Sequence, residues 1–298
     1  MVKIGAAKEM LTTVAKGKFL NAINIECYDS ALDQARLFDA NPELLKQSQV
    51  AGLPFLIKDL AAVKGLPTTS GSRLYKGYLP LHNSNIVQTY LNAGLVVLGK
   101  TNTPECGLTL TTEPIANGVT RNPWNIKYST GGSSGGAGAA VAGAISPIAH
   151  ATDGGGSIRI PSSLCGLFGI KAQFSRVPLF PIPATPTLAH VGPLARTVRD
   201  AALLLTAISG HDARDPFAVA GPVPDYLGAC GESIEGMRSA WSSTFGYARV
   251  DPEILEITER AARSFEQLGC HVEIVDAPFG DEPLDIWMSE FYGGVGTK

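Results

Sequence analysis

A chain of 298 residues in which 45% of the side chains are hydrophobic and 17% are charged has the composition of an ordered globular protein. Its 33 glycines and 20 prolines are spread through apolar segments, which argues against a low-complexity or disordered chain. The formal net charge of -3 lacks the excess of lysine and arginine that neutralises phosphates, so we expect no nucleic acid as the main partner. These properties favour a small ligand with little or no charge.

The cysteines and the apolar runs bear on the compartment. Five widely separated cysteines with no CxxC pair argue against a disulfide framework and against a zinc site, so we expect reduced thiols. The N-terminal segment mixes lysines with apolar residues and lacks the uninterrupted apolar run of a signal peptide. Since no run of about 18 apolar residues occurs either, the sequence predicts a cytoplasmic protein with no membrane partner.

The predicted elements begin with a helical scaffold over about residues 1–50. Apolar residues recur there at roughly helical spacing among lysines and alanines, namely Ile4, Met10, Leu11, Val14, Phe19 and Leu20. A short apolar strand, Ala51–Ile57, follows and brings Lys58 and Asp59 just past its end. Side chains at the ends of buried strands become accessible, so Lys58 is a candidate functional residue.

Helices and strands alternate through the rest of the chain. Ser84 is predicted to cap a helix that ends at Gly94, and Leu95–Leu98 is predicted as the next strand. The later predicted elements are a helix over Gly136–Ile145, a strand over Ile148–Ala151, a helix from Thr197 and Asp200 to Gly210, a helix from Asp251 to Gly269 and a strand over Val272–Val275. This alternation predicts an α/β fold.

A proline-rich segment interrupts the alternation. Four prolines between Arg176 and Thr187 predict a rigid surface connection and a candidate lip of the active site. Residues 212–235 are similarly irregular, which suggests a soft boundary near residue 210. We predict a single domain over residues 1–298, with the helical scaffold at about 1–50, a catalytic core at about 51–210 and the start of a substrate-side region at 211–298.

Two glycine- and serine-rich segments carry the strongest chemical signal. The first, Tyr128–Gly138, contains Ser133, and the second, Ala151–Pro161, contains Ser157. Glycine runs let the backbone approach a ligand and expose N–H groups that can converge on one oxygen atom. A serine inside such a loop can act as a nucleophile beside an oxyanion hole.

Other interpretations of these segments stay open at this point. Glycine and serine can simply build tight turns. A phosphate cradle is disfavoured, because neither segment contains G-x-x-x-x-G-K-[ST] and Val141 stands where G-x-G-x-x-G needs a glycine. Gly131–Gly135 satisfies the G-x-S-x-G nucleophile elbow of α/β-hydrolases, which needs a later acid and a later histidine. The pairs in the required order are Asp200 with His211 and Asp251 with His271.

Taken together, the segments resemble the amidase signature family, closely over about residues 51–176. The matching segments are Pro54–Asp59 for the lysine strand, Gly131–Gly136 for the cis-serine loop, Asp153–Pro161 for the nucleophile loop, and Gly99–Glu105 and Thr120–Asn125 for the stretches before the cis-serine loop. The joint motif is long and therefore specific. The resemblance implies a mixed, mainly parallel, twisted sheet covered by helices on both faces.

The resemblance also implies a catalytic triad. Ser157 would be the nucleophile, Ser133 the proton relay and an uncharged Lys58 the base. This is chemically reasonable, because a lysine among apolar groups at a strand end is desolvated, which disfavours the ammonium form.

Further residues are carried over from the family by position. The N–H groups of Gly154, Gly155, Gly156 and Ser157 would hold the oxyanion. Independently of the resemblance, Asp153 and Arg159 flank Ser157, and we expect them to hold the loop by charge-assisted hydrogen bonds. The alternative is a plain surface ion pair of little energetic value. Ser134 is expected to be a further supporting residue. Gly107 lies at a position that lines the substrate pocket in some relatives.

The expected activity is hydrolysis of the C–N bond of a small carboxamide, without a metal or an organic cofactor. Alternatives are an amidotransferase-type or partial subunit that needs another polypeptide, or a Ser/His α/β-hydrolase esterase. A homodimer is one option for the assembly. Three departures from the family pattern, Ala151, Gly154 and Ala172, remove no catalytic group. Family members usually run well beyond the point reached at Lys298, so the chain is expected to be incomplete at its C-terminus.

Overall fold

The structure, a computed structural model, describes residues 12–15 and 17–296. The predicted helical positions Ile4, Met10 and Leu11 lie outside the described residues. The chain divides into two compact units, residues 1–230 and residues 231–298. The division follows Cys230, about twenty residues beyond the soft boundary that the irregular composition suggested near residue 210.

The first unit is built on a six-stranded sheet. Its strands are β1 (Ile23–Glu26), β2 (Pro54–Lys58), β3 (Val96–Thr101), β4 (Ile148–Asp153), β5 (Phe168–Gly169) and β6 (His190–Ala195), in the spatial order β1-β3-β2-β4-β6-β5. Strand β2 pairs in parallel with β3 and β4, whereas the β1–β3, β4–β6 and β5–β6 pairs are antiparallel. Four of these strands therefore run in one direction and β1 and β6 in the other, which confirms the mixed, mainly parallel sheet.

Helices cover both faces of this sheet. They are α1 (Tyr28–Ala40), α2 (Asn85–Asn92), α3 (Gly135–Ala142), α4 (Arg159–Cys165), α5 (Val198–Ile208) and α6 (Tyr226–Ala229), with 3-10 turns at Lys18–Leu20, Pro42–Gln47, Arg73–Tyr75 and Glu105–Gly107. One core packs α2 and α5 against Phe55 and Ile57 of β2. The other packs α1 and α3 against Leu56 of the same strand. Alternate residues of β2 thus enter opposite cores, as expected for a strand buried on both faces.

The predicted helical scaffold at residues 1–50 needs a correction. Residues 12–15 are helical, but β1 interrupts the predicted helix and pairs with the edge of β3. Asn21 has a left-handed backbone conformation with φ 50°, which ends the preceding turn. Isoleucine then alternates with polar residues from Ile23 to Glu26, and this period of two fits a strand rather than a helix.

Most of the other predicted elements are present with shifted ends. Ser84 precedes α2, although its side chain makes no capping hydrogen bond, and Gly94 follows the helix with φ +78°. Thr197 caps α5, because its Oγ1 accepts a hydrogen bond from Asp200 N at 3.1 Å. Strand β6 was not predicted: it contains Pro193, which lacks an N–H donor, and an internal proline argues against a strand.

The proline-rich segment at residues 176–187 forms neither helix nor strand. Side chains from other segments hold its backbone. Asn85 accepts a hydrogen bond from Phe180 N at 2.8 Å and donates one to Pro178 O at 2.9 Å. Asp215 accepts one from Leu179 N at 2.8 Å. The segment is therefore fixed against the first unit by buried polar groups.

The second unit begins at residue 231. It contains a parallel pair of strands, β7 (Arg238–Trp241) and β8 (His271–Ile274), and the helices α7 (Pro252–Gln267), α8 (Leu284–Trp287) and α9 (Gly293–Gly296), with a π-helical turn at Met288–Tyr292. Asp251 caps α7 as predicted, since its side chain accepts a hydrogen bond from Glu253 N. Gly269 follows this helix with φ +86°.

Within residues 12–15 and 17–296, no helix has both the length and the apolar character needed to cross a membrane. All five cysteines are free thiols.

Candidate active site

Lys58 is the last residue of β2 and its side chain is completely buried. Its Nζ atom lies 2.7 Å from Ser133 Oγ, 3.0 Å from Ser134 Oγ and 2.8 Å from Thr152 Oγ1. Hydroxyl groups therefore contact the amine at hydrogen-bond distance. The sequence predicted Lys58 just past the strand, whereas the structure includes it in the strand.

Burial lowers the pKa of Lys58 from 10.5 to about 7, while the negative charge of Asp153 acts in the opposite direction. The cause is desolvation, which disfavours the charged form of a buried amine. Part of the Lys58 population is thus uncharged at neutral pH. An uncharged amine has a lone pair that can accept a proton.

Ser133 and Ser134 lie in the loop that leads into α3. The Gly132–Ser133 peptide bond is cis. Thr103 Oγ1 donates a hydrogen bond to Ser133 O at 3.0 Å and fixes the backbone of the loop. A Cβ atom at Gly131, which has φ +73°, would lie 2.8 Å from Ile160 Cγ2, so only glycine fits there. The loop thereby holds the Ser133 hydroxyl against Lys58.

Ser157 lies between β4 and α4, and 8% of its surface is exposed. Its carbonyl oxygen accepts a hydrogen bond from Ser134 N at 3.3 Å. This contact joins the two glycine- and serine-rich segments, which are separate in the sequence but adjacent in the fold. The structure thus brings Lys58, Ser133 and Ser157 into one region of the first unit.

Asp153 is the centre of the Ser157 loop. Its buried carboxylate accepts hydrogen bonds from Gly156 N at 2.7 Å and Ile158 N at 3.1 Å. Arg159 donates two more, from Nε to Oδ2 at 3.0 Å and from Nη2 to Oδ1 at 2.9 Å. Burial raises the pKa of Asp153, but the hydrogen bonds from Arg159, Gly156 and Ile158 outweigh it and lower the pKa below 3.8. The loop therefore closes around an ionised carboxylate.

One predicted oxyanion donor needs a correction. Gly156 N–H donates to Asp153 inside the protein, so it is engaged within the loop. Gly156 instead serves the conformation of the loop, because its φ is +113° and a Cβ atom there would lie 2.7 Å from Ile160 Cδ1. The role of Gly154, Gly155 and Ser157 as donors stays a prediction.

Gly107, the predicted pocket residue, lies beside Ser133. Its φ is +71°, and a Cβ atom there would lie 3.4 Å from Ser133 Oγ and 2.9 Å from Leu60 Cδ1. The absence of a side chain at Gly107 thus leaves space next to the Ser133 hydroxyl.

Sequence reasoning did not single out Thr152 and His150 of β4. Thr152 Oγ1 contacts the Lys58 amine, and His150 Nδ1 accepts a hydrogen bond from Lys58 N at 3.2 Å. Burial and the charges of Lys58 and Lys100 lower the pKa of His150 to about 3, so the imidazole is uncharged. The available signal was position, since Thr152 directly precedes the Asp-Gly-Gly-Gly-Ser run at a strand end.

The acids of the Ser/His interpretation take part in the starts of two helices: Asp200 bonds to the cap residue Thr197, and Asp251 is itself a cap. Asp200 accepts a hydrogen bond from Thr197 Oγ1 at 2.7 Å at the start of α5. Asp251 accepts one from Glu253 N at 2.9 Å at the start of α7. These contacts account for both acids without a histidine partner.

Comparison with known proteins identifies relatives of this arrangement. The family model described as Amidase matches residues 9–292. The chain is 41% identical over 251 residues to a glutamyl-tRNA(Gln) amidotransferase subunit from Syntrophobacter fumaroxidans, and the match covers 84% of this chain and 52% of the relative. It is 39% identical over 254 residues to an acylamidase of Rhodococcus erythropolis, and that match covers 85% of this chain and 53% of the relative.

A solved structure gives the same result for the fold. The crystal structure of a bacterial aryl acylamidase of the amidase signature family matches with a TM-score of 0.93 and 32% identity, covering 100% of this chain and 63% of that chain. The chain spans about half the length of the curated relatives it matches. The resemblance predicted from the glycine- and serine-rich segments is confirmed: this chain belongs to the amidase signature family and has its fold.

Proposed function

We propose that this chain hydrolyses the C–N bond of a small linear carboxamide through a covalent intermediate on Ser157, with Ser133 as proton relay and Lys58 as base. The observation that carries the proposal is the buried Lys58 amine, 2.7 Å from Ser133 Oγ. Burial keeps part of this amine uncharged at neutral pH, and a base with a pKa near the working pH is effective in proton transfer.

In the first half of the reaction, Lys58 Nζ accepts the proton of Ser133 Oγ, and Ser133 Oγ takes the proton of Ser157 Oγ. The Ser157 oxygen then attacks the amide carbonyl carbon and forms a tetrahedral intermediate. The relay returns a proton to the amide nitrogen, the C–N bond breaks and the amine leaves. An ester between Ser157 and the acyl group remains.

In the second half, water replaces the amine. Ser133 takes a proton from the water as Lys58 accepts one from Ser133, and the water oxygen attacks the ester carbonyl carbon. When the C–O bond to Ser157 breaks, the relay returns the proton to Ser157 Oγ. The products are a carboxylic acid and an amine, and the enzyme regains its starting protonation state.

Negative charge develops on the carbonyl oxygen in both tetrahedral intermediates. The N–H groups of Gly154, Gly155 and Ser157 are the proposed donors to this oxygen. A single donor of this kind contributes about 3 kcal/mol to transition-state stabilisation. Asp153 and Arg159 support the donors by holding the loop in place.

A second candidate function is that of an amidotransferase-type subunit. The observation in its favour is the 41% identity to a protein named as part of a glutamyl-tRNA(Gln) amidotransferase. In that case the same Ser157 chemistry would release ammonia from an amide, and full turnover would require another polypeptide.

The test is to assay the purified chain on aryl and linear alkyl amides by mass spectrometry and to measure labelling of Ser157 by a fluorophosphonate. The variants are Lys58→Met, Ser133→Ala and Ser157→Ala, with Lys46→Met at an exposed lysine as the matched control. We expect no labelling in Ser157→Ala, losses of about 10²–10⁴-fold in hydrolysis for Lys58→Met, and no change in Lys46→Met.

The outcomes separate the candidates. Labelling of Ser157 without hydrolysis of any amide favours the amidotransferase-type role. Full activity in Lys58→Met together with loss in His211→Ala would contradict the proposed triad and favour the Ser/His esterase.

A further inference from the structure

A buried ion pair lies directly beside the Lys58 backbone. Asp59 Oδ1 is 2.7 Å from Lys100 Nζ, and both side chains are completely buried. The strand register pairs Lys100 with Ile57 and Thr101 with Lys58, so Lys100 and Lys58 point to opposite faces of the sheet. Buried ion pairs seldom stabilise a fold more than apolar pairs of similar volume do. A role in holding neighbouring groups in position is therefore the better explanation for this pair.

Asp59 joins three segments of the chain. Asn24 Nδ2, from β1, donates to Asp59 Oδ2 at 2.7 Å. Thr69 donates from its hydroxyl to Oδ2 at 2.5 Å and from its N–H to Oδ1 at 3.2 Å. Asp59 N also donates to Thr101 O at 3.0 Å. The carboxylate thus fixes the residue that follows Lys58 in the chain.

Lys100 extends the network to the same loop. Its Nζ donates to Thr68 Oγ1 at 2.6 Å and to Pro67 O at 3.0 Å. Thr69 Oγ1 in turn accepts a hydrogen bond from Gly71 N at 3.2 Å. The loop at residues 67–71 is therefore held by both members of the ion pair.

This loop supports the turn that borders Ser133. Cys106 N donates to Ser70 O at 2.7 Å, and Ser72 Oγ donates to Glu105 Oε1 at 2.6 Å. The next residue in the turn is Gly107, whose missing Cβ atom would lie 3.4 Å from Ser133 Oγ. Contacts thus lead from the ion pair to the serine side of the site as well.

We infer that Asp59 and Lys100 are positioning residues that set both ends of the Lys58–Ser133 hydrogen bond. One end is set through the peptide bond from Asp59 to Lys58. The other is set through the loop at 67–71 and the turn that carries Gly107. The inference rests on the proposed function, because it concerns the alignment of the proposed base and relay. A misplacement of about 1 Å in such an alignment costs about 10²-fold in rate.

The experiment measures how fast a fluorophosphonate labels Ser157, with the maximal rate constant and the half-saturating reagent concentration determined separately by intact mass. The variants are Asp59→Asn and Thr69→Val, which alter the network at its centre and at its edge. Thr69→Val is the milder change and serves where Asp59→Asn folds poorly. The matched control is Asp33→Asn, which opens an exposed ion pair with Arg36 that has the same 2.7 Å distance.

We expect the maximal rate constant to fall about 10- to 100-fold in Asp59→Asn and by a smaller factor in Thr69→Val, with the half-saturating concentration and the Asp33→Asn control unchanged. A purely structural role would lower the final extent of labelling through loss of folded molecules, but not the rate constant of those that remain.

Two results would overturn the inference, and they differ. If the parent chain is labelled and both variants react within about twofold of its rate constant, the ion pair does not position the site and the proposed function stands. If the parent chain is not labelled at Ser157 at all, the proposed function fails and the inference fails with it.

Discussion

Ser134 and Thr152 are joined by two reciprocal hydrogen bonds: Ser134 Oγ donates to Thr152 O at 3.2 Å and accepts from Thr152 N at 3.3 Å. Because the hydroxyl proton of Ser134 is directed to a carbonyl, its oxygen can only accept from Lys58 Nζ. An uncharged amine has two N–H donors, and Ser134 and Thr152 can take both. The lone pair of Lys58 is then left for Ser133.

This orientation predicts the effect of Ser134→Ala. Without the hydroxyl, one N–H of Lys58 loses its acceptor and the amine can rotate away from Ser133, so we expect hydrolysis and fluorophosphonate labelling to slow about 10- to 100-fold. Ser146→Ala is the matched control, since Ser146 is also buried but donates to Ile148 O at 2.6 Å. Equal rates in the two variants would contradict the proposed orientation.

The pKa of Lys58 predicts a pH dependence of stability. The unfolded chain binds this proton up to pH 10.5, whereas the folded chain releases it near pH 7. The unfolded state therefore binds more protons between these values, and stability rises with pH across this window. Below pH 7, burial of the Lys58 amine lowers the free energy of unfolding by its full amount.

The measurement compares the parent chain with Lys58→Met by denaturant unfolding from pH 6 to pH 10. We expect Lys58→Met to be the more stable protein at low pH, and its advantage to shrink by on the order of 4 kcal/mol across the window. An advantage independent of pH would show that Lys58 stays protonated in the fold. The same amine predicts a labelling rate that rises through about pH 7.

The pKa shift of Asp153 is opposite in its effect to that of Lys58, because it adds to the stability of the folded chain at neutral pH. Its pKa is lowered in the fold, so its contribution to stability is present above pH 4 and is lost as the pH falls further. We expect Asp153→Asn to destabilise the protein by about 1–3 kcal/mol at pH 7, because buried donors lose a charged acceptor. Thermal unfolding of the two proteins at pH 7 and pH 3 checks this, and the difference should narrow at the lower pH.

Gly107→Ala tests the space beside Ser133. The change places a Cβ atom 2.9 Å from Leu60 Cδ1 and 3.4 Å from Ser133 Oγ, in a backbone with φ +71°. Gly65→Ala is the control, because Gly65 has φ +80° with nothing within 4 Å of its Cβ position. Both should lose about 1–2 kcal/mol of stability from the backbone strain, whereas only Gly107→Ala should also slow the labelling of Ser157. An unchanged rate of Ser157 labelling in Gly107→Ala would show that the space at this glycine does not affect the site.

The sequence predicted the parts of the fold that depend on local pattern. The structure contains the predicted helix ends at Gly94 and Gly269 and the predicted helix caps at Thr197 and Asp251. Each of these signals depends on only a few neighbouring residues. Strand β6 has no such signal, since its proline and glycine argue against a strand and only pairing with β4 and β5 forms it.

The candidate site was predictable in its motifs and not in its contacts. Lys58, Ser133 and Ser157 stand in segments with a recognisable pattern, whereas Thr152 and Lys100 reach their partners only through strand register. The engagement of Gly156 by Asp153 also escapes sequence reasoning, because a run of glycines does not reveal which N–H groups turn inward.

The two buried lysines of adjacent strands show what the sheet does to identical side chains. On one face, Lys100 lies against the carboxylate of Asp59, whose negative charge opposes the lowering of the Lys100 pKa by burial. On the other, Lys58 Nζ lies at hydrogen-bond distance from three hydroxyl oxygens, and burial lowers its pKa to about 7. The two lysines thus lie on opposite faces of one sheet, which keeps their amines apart. One amine forms an ion pair that holds the structure, and the other can exchange a proton near neutral pH.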